Sequence, residues 1–109
     1  MARVTAGKIY DLTKGFPQEE RFGLVNQLRR AGVSVMSNLA EGSGRTNAKD
    51  QAHFSQLAYG SLMEIDAQLQ LSVDLNFLTK TAYLDVRPTI EELSAAINAL
   101  RAAQLKRIK

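Results

Sequence analysis

The sequence predicts an all-α protein: an antiparallel up-and-down four-helix bundle that assembles as a homo-oligomer. Three observations predict it. Apolar residues recur at helical spacing through almost the whole chain. Punctuation is sparse, with seven glycines and two prolines in 109 residues, so the elements must be long. No stretch reads as a credible strand, and there is no internal repeat. At 109 residues and 12.0 kDa the chain is one domain, 1–109.

The first helix is expected over about residues 2–15, with Val4, Ile9 and Leu12 apolar and Tyr10 and Lys14 near the boundary. Gly15 terminates it. A helix of this length spans roughly 20 Å, around half the next one, and leaves part of the second and third helices without cover. That is a physical argument for a partner subunit.

The second helix, about 17–41, organises the chain. Pro17 suits the first turn, where its missing N–H costs nothing. Gln18, Glu19 and Glu20 put acid at the positive end of the helix dipole, and Gly42-Ser43-Gly44 stops the helix. Leu24, Val25, Leu28, Gly32, Val35, Met36 and Leu39 form an apolar band that widens through Phe22, Val33 and Ala40. A band this broad exceeds what one core requires. Opposite it runs a polar column of Gln27, Arg30, Ser34, Ser37, Asn38 and Glu41. The helix is therefore either well buried with one wet face or partly committed to another subunit.

A six-residue loop, 42–47, joins antiparallel neighbours. Thr46 or Asn47 is the expected N-cap of the third helix, with Asp50 in its first turn. The Gly-Ser-Gly-Arg loop lacks the lysine context and preceding strand of a phosphate loop.

The third helix is expected over about 48–76, with Phe54, Leu57, Ala58, Ser61, Leu62, Ile65, Leu69, Ser72 and Leu75 inward. If the second and third helices turn back near Gly44, Gly32 and Gly60 share one height and either mark a close approach of neighbouring helices or open a slot for a long side chain such as Arg29. Ala52, Tyr59, Met63 and Ala67 form an apolar strip on the other side, the candidate oligomer interface. Arg29 projects near the apolar band while Arg30 belongs to the polar column. A partly buried guanidinium calls for a carboxylate, so Glu64 or Glu41 is expected to pair with one of these arginines as a structural ion pair.

Beyond Thr79, a candidate N-cap, Pro88 either kinks a helix or restarts one at its first position. The fourth helix is placed over about 88–106, with Ile90, Leu93, Ile97, Leu100 and Gln104 inward and Glu91 and Glu92 at its acidic start.

Charge is segregated along the chain. Residues 1–49 carry eight basic and four acidic groups, 50–100 two and seven, and 101–109 four and none, for a net charge of +3. Arg45 and Lys49 fall at one end of the bundle, and Arg101, Lys106, Arg107 and Lys109 at an end or in a tail. These six are the candidate nucleic-acid contacts, since basic patches collect phosphates by counterion release. The plainer reading is that cations at a helix C-terminus complement its dipole.

Chemistry finds few candidates. No Cys and one His cannot supply the common metal sets, and His53 reads as a surface residue near Asp50. Ser34, Ser37, Ser43 and Ser61 lack a His–Asp arrangement. No catalytic residue, cofactor or small-molecule substrate is assigned. No stretch approaches a membrane span, no signal-like run follows Met1, and the absence of Cys fits a reducing compartment, so the expectation is a cytoplasmic protein with no membrane partner.

The segment FPxEERFGLxxQxRRAxVSVxSNxAEGxGR from Phe16 to Arg45, followed by AYGSLMEIDAQL, resembles small bacterial four-helix-bundle proteins. They were first noticed as reading frames inside intervening sequences of large-subunit ribosomal RNA genes. The resemblance covers about Ile9 to Phe77. It implies a homo-oligomer, a homopentamer being the expected form, with no enzymatic activity. A distantly similar group of bundle proteins accompanies reverse transcriptases of diversity-generating elements and contacts RNA, which makes RNA a suggested partner. The expected function is a non-enzymatic, homo-oligomeric binding or scaffold protein contacting RNA through its basic patches. The alternative is a structural protein–protein adaptor without a nucleic-acid role.

Overall fold

The computed structural model describes residues 1–108, and its described residues form four α-helices and no strand. They are α1 (Ala2–Thr13), α2 (Asn26–Ser43), α3 (Ala48–Asp74) and α4 (Lys80–Lys106). Neighbours run antiparallel, as their cross-links show. Arg29 of α2 reaches Thr13 of α1, Gln27 and Ser34 of α2 meet Gln68 and Ser61 of α3, and Tyr83 and Gln104 of α4 meet Asp66 and Ser55 of α3. Buried Ile9, Leu28, Val35, Ala58, Leu62, Ile65, Leu69, Ile90, Leu93 and Ile97 fill the centre.

The expected single helix over 17–41 is not continuous. Pro17 is extended (φ −55°, ψ 144°) and opens a 3-10 turn, Gln18–Glu20. A wide π-type turn, Arg21–Val25, follows, broken at Gly23 (φ −103°, ψ −112°). Glycine tolerates such a conformation. The break turns Phe22, expected in the apolar band, outward to 88% exposure. Only from Asn26 does a regular helix run, to Ser43 rather than to residue 41.

Helix α3 begins as expected: Asn47 Oδ1 accepts from the backbone N–H groups of Lys49 and Asp50 at 2.8 and 3.3 Å. It ends at Asp74, two residues early. Asn76 takes a left-handed φ of 64°, and the Phe77 and Leu78 amides fold back onto the Ser72 carbonyl. Asn is among the few side chains that tolerate this conformation at a helix end. Phe77 then packs on Phe16, with ring centroids 6.0 Å apart, tying the α3–α4 turn to the α1–α2 turn.

Helix α4 starts eight residues before the expected Pro88. The Thr79 hydroxyl caps it by accepting from Ala82 N–H at 3.1 Å, and Pro88 lies inside it. The proline is accommodated because it is exposed. Leu84, whose carbonyl loses its helical donor, is an exposed residue as well.

The two glycines lie within a turn of one height as expected, Ser34 meeting Ser61 and Gln27 meeting Gln68, but only one of them marks a close approach. Gly32 is buried under α1, where an added Cβ would meet Ala6 Cα at 3.5 Å, whereas Gly60 is exposed with nothing within 4 Å of a Cβ. The close approach is thus between α1 and α2.

The molecule is elongated, 49 × 24 × 19 Å, with a surface of 6704 Å². A compact chain of this mass would expose about 6,000 Å².

Candidate nucleic-acid interface

One end of the bundle gathers the C-terminus of α2, the N-terminus of α3 and the C-terminus of α4. The loop residue Arg45 donates from Nη2 to Glu41 Oε1 at 2.9 Å and lies 4.9 Å over the Phe54 ring. Its backbone carbonyl accepts from Gln51 Nε2 at 2.7 Å, and Gln51 Oε1 accepts from Arg107 Nη2 at 2.9 Å. Gln51 therefore joins the α2–α3 loop to the end of α4. Arginines 62 positions apart in sequence become neighbours through it.

Deeper in, the Ser55 hydroxyl donates to Gln104 Oε1 at 2.7 Å, and both residues are buried. This pair fixes the register of α4 on α3. A cleft of about 200 Å³ opens above it, lined by Leu39, Gly42, Gln51, Leu100, Gln104 and Arg107. Lys49 and Lys106 are exposed close to the helix ends. Arg101 is partly buried, and its Nε has no partner. The sixth expected contact, Lys109, lies outside the described residues. Of the expected contacts the structure thus brings together Arg45 and Arg107, with Lys49 and Lys106 on the adjoining turns.

A model of the 23S rRNA-intervening sequence protein family matches residues 1–99. The chain belongs to this family. The match spans all of α1 to α3 and most of α4. A comparison with curated proteins gives no match.

Within this family member the expected ion pair does not form. Among the described residues neither Arg29 nor Arg30 pairs with a carboxylate; Glu41 is taken by Arg45, and Glu64 Oε1 accepts from Gln68 Nε2 at 3.0 Å. Arg29 is anchored by neutral groups of α1 instead: Nε donates to Thr13 Oγ1 at 3.0 Å, Nη2 donates to the Tyr10 carbonyl at 3.4 Å, and the guanidinium lies 4.6 Å over the Tyr10 ring. Hydrogen bonds and a π-face satisfy it without a charge partner.

The expected outward strip is also displaced. Ala52 is only 4% exposed, and Tyr59 and Met63 pack against the chain's own core; of the four only Ala67 is exposed. Ser55 and Asp66, which bond to α4, share this side of α3, so the strip largely faces α4. The outward apolar row is a different one. Leu57 and Leu75, expected in the core, are 42% and 48% exposed, and Leu71 between them is 45% exposed. Positions 57, 64 and 71 fall on one helix row with 75 a turn beyond, and Glu64 interrupts it. Leu71 was legible in sequence as an apolar residue off the inward stripe. His53 is exposed beside Phe54, as expected of a surface residue.

Among the described residues no group of three or more His, Asp or Glu side chains could hold a metal, and no helix is long and apolar enough to cross a membrane.

Proposed function

We propose that this family member is a cytoplasmic, non-enzymatic, homo-oligomeric scaffold, pentameric in the form the resemblance implies, that contacts RNA through the basic end of its bundle. One observation carries the RNA contact: Gln51 ties the backbone of Arg45 to the guanidinium of Arg107, so both residues sit at one end of the bundle with Lys49 and Lys106 on the adjoining turns. Glu41 and Asp50 are the acids at this end, so positive charge prevails. His53 is the one exposed ring beside this cluster, too little for a stacking platform along a strand, so binding is electrostatic and weakly sequence-specific. Assembly is supported by the outward Leu57, Leu71 and Leu75 and by the excess surface.

A filter-binding titration of RNA across salt tests the contact. Four cations neutralising four phosphates of a single strand give a slope of log affinity against log salt near about −3. Arg45→Gln with Arg107→Gln should roughly halve that slope. No affinity at about 50 mM salt would remove RNA and leave the second reading, a protein–protein adaptor, which the exposed leucine row favours independently.

A further inference from the structure

Arg29 is fixed by three contacts to α1 and still carries a charge that no carboxylate among the described residues neutralises. It lines a groove of about 290 Å³ at the corner where α1 turns into the broken segment before α2. Thr13, Lys14, Gln18 and Arg21 also line it, over Phe16 and Val25, so three cations and no acid face this space. Arg29 is shared with an adjoining groove that adds Arg30 and Asn26 and again contains no acid.

Two of the acids nearest in sequence, Asp11 and Glu20, are placed against other groups. Asp11 sits 3.3 Å from Lys14 in an exposed pair, which is worth little and easily exchanged. The Glu20 carboxylate lies against Gly23, 3.3 Å from the position a Cβ would take. The Thr13 hydroxyl donates to the Ile9 carbonyl at 2.8 Å, which turns its oxygen toward Arg29 as acceptor and holds the guanidinium in place. Nη1 of Arg29 makes no hydrogen bond within the described chain.

We propose that this corner groove binds a phosphate group, with Arg29 as the preorganised fork and Arg21 and Lys14 closing on it. Three cations without an acid match a dianion or a phosphodiester better than a single carboxylate, and a guanidinium held in advance loses little freedom on binding. The groove is larger than one phosphate, so the remainder of the ester extends along the Arg29–Arg30 side. The site lies at the end of the bundle opposite Arg45 and Arg107, and it stands or falls independently of RNA binding there.

The test follows the Arg29 Nε–Hε NMR signal of the intact protein during titration with inorganic phosphate, uridine 5′-monophosphate or a short oligouridylate, against sodium chloride at matched ionic strength. The expected result is a saturable shift with each phosphate probe and none with chloride. Arg21→Gln, at an exposed residue with no protein hydrogen bond, should weaken binding about tenfold. Arg107→Gln should leave it unchanged. Tighter binding of the oligomer than of the mononucleotide assigns the phosphate to a strand, and equal binding assigns it to a small ester. No shift up to about 10 mM probe, the same shift with chloride, or unaltered affinity in the Arg21 variant would overturn the proposal.

Discussion

The Tyr83 hydroxyl donates to Asp66 Oδ1 at 2.7 Å, joining the first turns of α4 to the last third of α3. Burial, then the hydrogen bond to Asp66 and its negative charge, push the Tyr83 hydroxyl above its ordinary 10.0. A tyrosine held protonated in the folded chain but not in the unfolded one adds stability that is intact below about pH 10 and is lost as pH rises through the folded-state value. Urea unfolding at pH 8 and pH 11 should therefore show a drop in the wild type. Tyr83→Phe should show a smaller drop and a loss of about 1 kcal/mol at pH 8. An identical alkaline drop in the variant would place its origin elsewhere.

Gly42 and Gly60 should respond to alanine in opposite directions. At Gly42 a Cβ would lie 3.0 Å from Phe54 Cβ and 3.5 Å from the Gln51 carbonyl, on the opening turns of α3, which cannot swing away as a long side chain could. Gly42→Ala should cost about 1–3 kcal/mol, as overpacking does. Gly60 is exposed, with open space at its Cβ, so Gly60→Ala should gain up to about 1 kcal/mol from helix propensity alone. Thermal unfolding of the two variants checks both signs.

The same glycines show what was legible in the sequence. Helix number, the Asn47 cap and the central band of α2 and α3 followed from periodicity and local chemistry. The cost of a glycine in a helix interior predicts a helix–helix contact at Gly60. Here that cost brings no packing benefit, whereas Gly23, inside the same expected helix as Gly32, is where the backbone breaks. A lone glycine in a helical pattern signals close approach, a break or nothing, and only the neighbouring chain decides among them. Arg45 and Arg107 were readable as cations near helix ends, but their junction through Gln51 depends on contacts between three elements. A partly buried charge usually has a carboxylate, which predicts one for Arg29 or Arg30; the anchors of Arg29, a hydroxyl, a carbonyl and a ring, come instead from α1.

The outward row Leu57, Leu71 and Leu75 spans roughly 27 Å along α3. If copies meet on it, Leu57→Glu combined with Leu71→Glu should convert a multiple of 12.0 kDa to a single 12.0 kDa species in light scattering, with helicity unchanged. Both side chains are over two-fifths exposed, so the glutamates can reach water within an isolated chain and folding should survive. An unchanged assembly mass would move the interface off this row.

Pro88 supplies the last expectation. It is the ninth residue of α4 and deprives the Leu84 carbonyl of its helical donor. An interior proline costs about 3 kcal/mol relative to alanine, and its restriction of the unfolded chain returns about 1 kcal/mol of that. Pro88→Ala should therefore stabilise the bundle by about 1–2 kcal/mol. One contact opposes this: Lys8 Nζ donates to the Thr89 hydroxyl at 2.9 Å, beside the proline, linking α1 to α4 at the residue a substitution would disturb. Such a pair is exposed and worth little, so the helix term should win. A rise in the urea midpoint at unchanged m-value is the expected result, and a fall would mean that Pro88 itself helps seat α4 against α1.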